Sequence, residues 1–119
     1  MNLKISNNQI EIIRKMNPYL IGSTLFIFVV GFYFSLFDSP PDYIQGDSMR
    51  IMYVHVPFAW LSLFSYTILA ASCILWFVTR NPIFNLFGKS IAPIGAIFTL
   101  IALVTGSIWG KPTWGVWWV

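Results

Sequence analysis

His55 is the only histidine in this chain, and no other residue has a type and setting so ready for coordination chemistry. A neutral imidazole binds metals through either ring nitrogen. His55 stands where a polar segment gives way to a long uncharged run, the setting of a membrane interface, where a histidine can equally serve as a plain polar anchor. If helix continues through Pro57, the face below His55 carries Ala59, Ser62, Tyr66, Ala70 and Cys73. Small and polar residues mark the side of a membrane helix that meets protein. Trp60, Leu61, Phe64 and Leu75 fall on other faces and suit lipid. On this reading His55 points towards a protein-lined pocket.

The second constellation is aromatic. Trp109, Trp114, Trp117 and Trp118 crowd ten residues, with Gly110, Pro112 and Gly115 between them. Tryptophan belts are ordinary at membrane interfaces, and that is the competing reading. A simple anchor needs one or two aromatic residues, whereas indoles on a glycine- and proline-shaped segment offer flat faces to a large planar ligand. A histidine and an indole platform on one side of a membrane together suit haem, with imidazole on the iron and an aromatic shelf beneath the macrocycle.

Other chemistries lack their residues. Cys73 is the single cysteine, so an internal disulfide, a zinc cluster and a CxxC pair are excluded, and it reads as a small buried apolar residue. Asp38, Asp42 and Asp47 share a loop with Arg50, with no nucleophile–base pair among them. There is no Gly-rich phosphate loop, GxSxG elbow or HExxH helix. Nothing here makes an enzyme.

The elements that must position these residues follow from composition. Of 119 residues, 57% are hydrophobic and 9% charged, against about 25% charged in soluble domains. A bilayer core about 30 Å thick takes roughly 20 helical residues to cross, and three uncharged runs meet that length. The fold expected is an all-α membrane protein with three transmembrane helices, embedded in lipid. Its segments are a cytoplasmic start at 1–17, a first span at 18–37, and an outer loop with a short interfacial helix at 38–56. A second span at 57–78, a cytoplasmic loop at 79–90, a third span at 91–109 and a tryptophan-rich outer segment at 110–119 follow.

Several local signals shape this division. Ser6 and Gln9 have capping-box spacing, Pro40-Pro41 stops the first helix, Asp47 suits the cap of a helix from Ser48 to about His55, and Pro57 suits a helix's first turn. The first run is too long for a signal-peptide core and reads as a retained anchor. Gly95, Thr99, Ala102 and Gly106 form a stripe of small residues on the third span, a face for close helix packing.

Orientation comes from the basic residues. With the N-terminus inside, Lys4, Arg14, Lys15, Arg80 and Lys89 are cytoplasmic against Arg50 and Lys111 outside, five to two. His55 and the tryptophans then share the outer face. The net charge of +3 and pI near 9.3 belong to this asymmetry. Seven scattered basic residues make no patch for nucleic acid.

The stretches Asp42-Tyr43-Ile44-Gln45-Gly46 and Arg50-Ile51-Met52-Tyr53-Val54-His55-Val56-Pro57 resemble the first outer loop of the haem exporter protein C family of cytochrome c maturation. Ala92-Pro93-Ile94-Gly95-Ala96-Ile97-Phe98-Thr99, and the run from Thr105-Gly106-Ser107-Ile108-Trp109 through Trp118, resemble its third helix and the start of its tryptophan-rich loop. The resemblance implies a membrane component, not an enzyme. It would hold haem b at the outer face of a bacterial inner membrane, or of the mitochondrial one, and pass it to a periplasmic haem chaperone beside an ATP-binding-cassette (ABC) transporter. It implies His55 as one of two axial ligands of the haem iron, with Trp109, Trp114, Trp117 and Trp118 as the platform. Family members continue with a Trp-Asp pair, three more helices and the second axial histidine, so the expectation is the N-terminal half of a six-helix bundle. The alternatives are a structural subunit or an inactive remnant that binds no cofactor.

Overall fold

The computed structural model describes residues 7–118. Among the described residues the regular elements are helical, apart from an isolated bridge between Asp42 and Gly46. Three helical segments are long and apolar enough to cross a membrane, Ile10–Asp38, Asp47–Thr79 and Pro82–Trp114. The chain divides into two compact units, Met1–Asp38 and Ser39–Val119.

The first unit is helix α1 (Asn7–Tyr33), ending in a π-helical turn at Phe34–Asp38. The polar start from Asn7 and the apolar span form one continuous helix. Pro18 lies inside it and removes one amide from the ladder. The helix continues because the apolar run beyond has no better partner for its backbone than itself. Glu11 and Lys15 pair one turn apart at 2.9 Å with both side chains well exposed, a contact worth about 0.3–0.5 kcal/mol. Ser6, Lys4 and the side chain of Gln9, and with them the capping box, lie outside the described residues.

The second unit opens with a loop, then a 3-10 turn (Asp47–Ile51), α2 (Met52–Thr79) and α3 (Pro82–Trp114). Asp47 does not cap the turn. Gly46 occupies that position without a side-chain hydrogen bond, and Asp47 pairs with Arg50 at 3.2 Å instead. The 3-10 turn runs directly into α2, so Pro57 falls inside the helix and not in its first turn.

The connection between α2 and α3 is much shorter than the expected loop at 79–90. Arg80 ends α2 in the left-handed region (φ 55°), its amide donating to the Trp76 carbonyl at 2.8 Å. Its guanidinium lies 5.5 Å from the Trp76 ring centroid and 5.1 Å from that of Phe77. Asn81 caps α3 by accepting the Ile83 amide at 3.1 Å, and Pro82 fills the first helical position, where a missing N–H costs nothing. At the other end, Gly115 (φ 77°) donates to the Lys111 carbonyl at 3.0 Å and closes the helix. At 1.5 Å per residue, 33 residues extend about 50 Å. The apolar stretch at 91–109 is by itself long enough to cross a bilayer, and α3 continues beyond it at both ends.

The two helices meet along a seam of small residues. Ser62, Ser65 and Ser72 are buried on α2, Gly88 and Gly95 on α3. A methyl group on Gly95 would lie 2.9 Å from the Ser65 Cβ, closer than carbon atoms tolerate. Thr99 donates to the Gly95 carbonyl at 2.8 Å, so Ser62 is the donor in its 2.6 Å bond to Thr99 Oγ1. The stripe expected on the third span therefore faces α2.

The face expected on α2 drifts off this seam. Ala59 and Ser62 lie on it, but Tyr66, Ala70 and Cys73 are exposed, and Ser65 and Ser72 take the buried places. Two paired helices keep contact at a mean spacing of about 3.5 residues. Stepping by four from Ser62 to Tyr66 and on to Ala70 rotates away from the partner. Cys73 is accordingly surface, not core.

Candidate functional site

His55, the fourth residue of α2, is half-buried and faces Ala102, Thr105 and Gly106 of α3. Its Nδ1 lies 3.0 Å from the Ala102 carbonyl oxygen and 3.1 Å from Thr105 Oγ1. A carbonyl only accepts, so Nδ1 carries the hydrogen and donates. Among the described residues no hydrogen-bond partner meets Nε2, which keeps its lone pair in the neutral ring. This is the arrangement in which a histidine binds metal through one nitrogen while the other is oriented by the protein.

Gly106 makes room for the ring. A Cβ there would lie 2.9 Å from His55 Cε1 and 3.3 Å from Nδ1. In front of the ring is an open cavity of about 310 Å³, lined by His55, Ala59, Ser62, Thr99, Gly106 and Trp118 among others. The lining is mostly apolar, as ligand pockets are, and the volume is at the small end of their usual range of about 300–1,000 Å³.

The four tryptophans do not form one coplanar shelf. Trp118 lines the His55 cavity. Trp109, about one turn past Gly106 on α3, donates its indole N–H to Gln45 Oε1 at 2.9 Å and meets Trp114 edge-on, with centroids 4.8 Å apart and planes at 78°. Edge-to-face contact sets the positive rim of one ring against the negative face of the other. A Cβ on Gly110 would sit 3.3 Å from Trp114 Cε3, so glycine lets that ring lie along the helix. Trp117 has the Lys111 ammonium 5.7 Å from its centroid, while Lys111 also donates to the Gly115 carbonyl at 2.9 Å. Trp114, Trp117 and Trp118 remain more than half exposed, leaving their faces open to a partner.

The first loop braces this end of the helices. Asp42 and Gly46 exchange backbone hydrogen bonds at 3.1 and 3.0 Å. The Asp42 carboxylate accepts the amides of Gln45 (2.8 Å) and Ile44 (2.9 Å). These bonds, that from Gln45 foremost, hold its carboxyl below the ordinary aspartate value. Gly46 has φ 57° and ψ −136°, a region that side chains avoid. Arg50 donates through Nε and Nη2 to the Ser39 carbonyl at 3.2 and 2.8 Å. The loop is thereby fixed at both ends and presents Gln45 to Trp109, while Tyr43 and Ile44 project outward.

Sequence reasoning singled out His55 and the tryptophans but not Thr105, the Ala102 carbonyl or Gln45 as their supports. The signal for Thr105 was its place on α3 beside the small-residue stripe. Gln45 carried no spacing signal, because its partner lies 64 residues away.

The family model described as heme exporter protein C matches residues 1–119. A mitochondrial ccmC-like cytochrome c biosynthesis protein from Marchantia polymorpha is 50% identical over 100 residues, covering 84% of this chain and 44% of that protein. Heme exporter protein C of Bradyrhizobium diazoefficiens is 43% identical over 101 residues, covering 85% and 38%. That of Escherichia coli K12 is 45% identical over 102 residues, covering 86% and 42%. The chain thus spans less than half the length of these relatives. With the first-loop and tryptophan motifs built onto helices long and apolar enough to cross a membrane, and the family match running the whole length of the sequence, the chain belongs to the heme exporter protein C family.

Proposed function

We propose that this chain handles haem for c-type cytochrome biogenesis, with His55 Nε2 as an axial ligand of the iron and Trp118 against the macrocycle in the cavity between α2 and α3. The single observation that carries this reading is the anchoring of Nδ1 at 3.0 Å to the Ala102 carbonyl beside an apolar cavity. It leaves one nitrogen, with its lone pair, available to an iron. Trp109, Trp114 and Trp117 are the remaining platform, and the exposed faces of Trp114 and Trp117 stack on or bury the part of the disc that a cavity of about 310 Å³ does not enclose.

The cargo is haem b, held by coordination and stacking. The function is binding and delivery, not catalysis, since Thr105 Oγ1 accepts from His55 and gives its own proton to the Ile101 carbonyl, and no other nucleophile–base pair adjoins the cavity among the described residues. The site belongs at the outer face of a bacterial or mitochondrial inner membrane with the N-terminus inside, as the basic residues are distributed. Delivery is to a periplasmic haem chaperone, in an assembly with ABC transporter subunits.

The competing role is a structural subunit, and the small-residue seam favours it, since Gly95 against Ser65 needs no ligand to explain it. Haem co-purification separates the two. Wild-type protein is expected to carry haem with a histidine-ligated absorption spectrum, and His55→Ala is expected to lose most of it. Equal haem content in both proteins would favour the packing role.

A further inference from the structure

We propose that Thr105 is a positioning residue that sets the tautomer and tilt of His55 for iron; the inference rests on the haem-binding reading above. The Thr105 hydroxyl donates to the Ile101 carbonyl at 2.7 Å, with the Ala102 carbonyl a longer second acceptor at 3.2 Å. With its proton engaged there, Oγ1 turns a lone pair towards His55 Nδ1 at 3.1 Å. The Ala102 carbonyl, an acceptor by nature, approaches the same nitrogen at 3.0 Å. Two acceptors converging on one ring nitrogen require the hydrogen to sit there, which places the lone pair on Nε2.

The two acceptors differ in origin. A carbonyl is present whatever the side chain at 102, whereas the hydroxyl at 105 is specified by residue type. Two acceptors on adjacent turns also fix the ring plane better than one, and Gly106 keeps the space the ring occupies. A hydrogen bond to the far nitrogen makes imidazole a stronger donor to a metal. Stronger donation favours ferric over ferrous iron.

The test uses the detergent-purified full chain loaded with haem b, comparing wild type, Thr105→Val, Thr105→Ser and His55→Ala. Thr105→Val keeps the shape and loses the acceptor. It is expected to raise the haem midpoint potential and weaken haem retention by about tenfold or more, with Thr105→Ser remaining near wild type. If Thr105→Val does not yield folded protein, Thr105→Ala must show the same rise in potential. Potentials unchanged in Thr105→Val while His55→Ala loses its haem would overturn the role of Thr105 alone. So would an equal shift in Thr105→Ser, which would mark a packing effect. A wild-type haem spectrum in His55→Ala would remove the binding reading itself, and this inference with it.

Discussion

Little space and few atoms define the candidate site at the level of single residues. His55 is oriented from behind by two oxygens of α3 and owes its room to the missing side chain of Gly106. Gly106→Val is therefore expected to push the ring off its partners and to lower haem retention about as much as removing a supporting hydrogen bond, by tenfold or more. The helices should survive, so haem binding and circular dichroism measured together distinguish displacement from unfolding. The Asp42 carboxylate makes a separate, pH-dependent contribution. Its folded pKa is depressed by the Gln45 and Ile44 amides, so the stabilisation is present above the ordinary carboxyl value, about 4, and disappears as pH falls through the lowered one. Protection of the Ile44 and Gln45 amides, measured against intrinsic exchange at each pH, is expected to fall on acidification below about pH 4. In Asp42→Ala it should be low already at neutral pH and show no such acid step. Acid-insensitive protection in the wild type would contradict the assignment.

At the scale of elements, α2 and α3 associate without a large hydrophobic core. The buried residues of their seam are serines and glycines, which is how membrane helices approach closely when lipid removes the usual hydrophobic drive. The Ser62–Thr99 bond is expected to contribute about 0.6 kcal/mol, at most about 1.7. Gly95→Leu should do far more damage, because its side chain would overlap Ser65. Thermal unfolding in detergent should rank Ser62→Ala as mild and Gly95→Leu as severe; the reverse order would contradict the seam.

Much of this element structure was legible from residue types. The uncharged runs, the stripe from Gly95 to Gly106 and the tryptophan cluster that follows it all stand out by composition and spacing. Two things were harder to read. Stepping by four along α2 leads from Ser62 to Tyr66, and only the partner helix holds the contact at Ser65. The α2–α3 turn looked long because Arg80, Asn81, Pro82 and Lys89 resemble loop residues, although Asn81-Pro82 is an N-cap followed by a first-turn proline and marks where α3 begins. Gly115 likewise marked where it ends. The Gln45–Trp109 bond, joining residues far apart in sequence, had no local signature at all.

At the scale of the whole molecule, a chain with three membrane-crossing helices carries its candidate ligand at one end of the α2–α3 pair and a basic turn at the other. Single-cysteine variants in a Cys73→Ala background at positions 43, 89 and 114 should divide by side, with 43 and 114 labelled by an impermeant thiol reagent from the periplasmic face and 89 only after permeabilisation. Labelling of 43 and 114 from opposite faces would contradict a shared outer site. The long apolar surfaces left open on α1, with Phe26 70% and Ile27 69% exposed, are compatible with lipid or with further protein around them.

The most direct measurement is the absorption spectrum of haem-loaded His55→Ala with and without added imidazole. The substitution is expected to abolish the histidine-ligated spectrum, and free imidazole, entering the space the ring vacates, is expected to restore it. A spectrum indifferent both to the loss of His55 and to imidazole would show that the iron is held elsewhere.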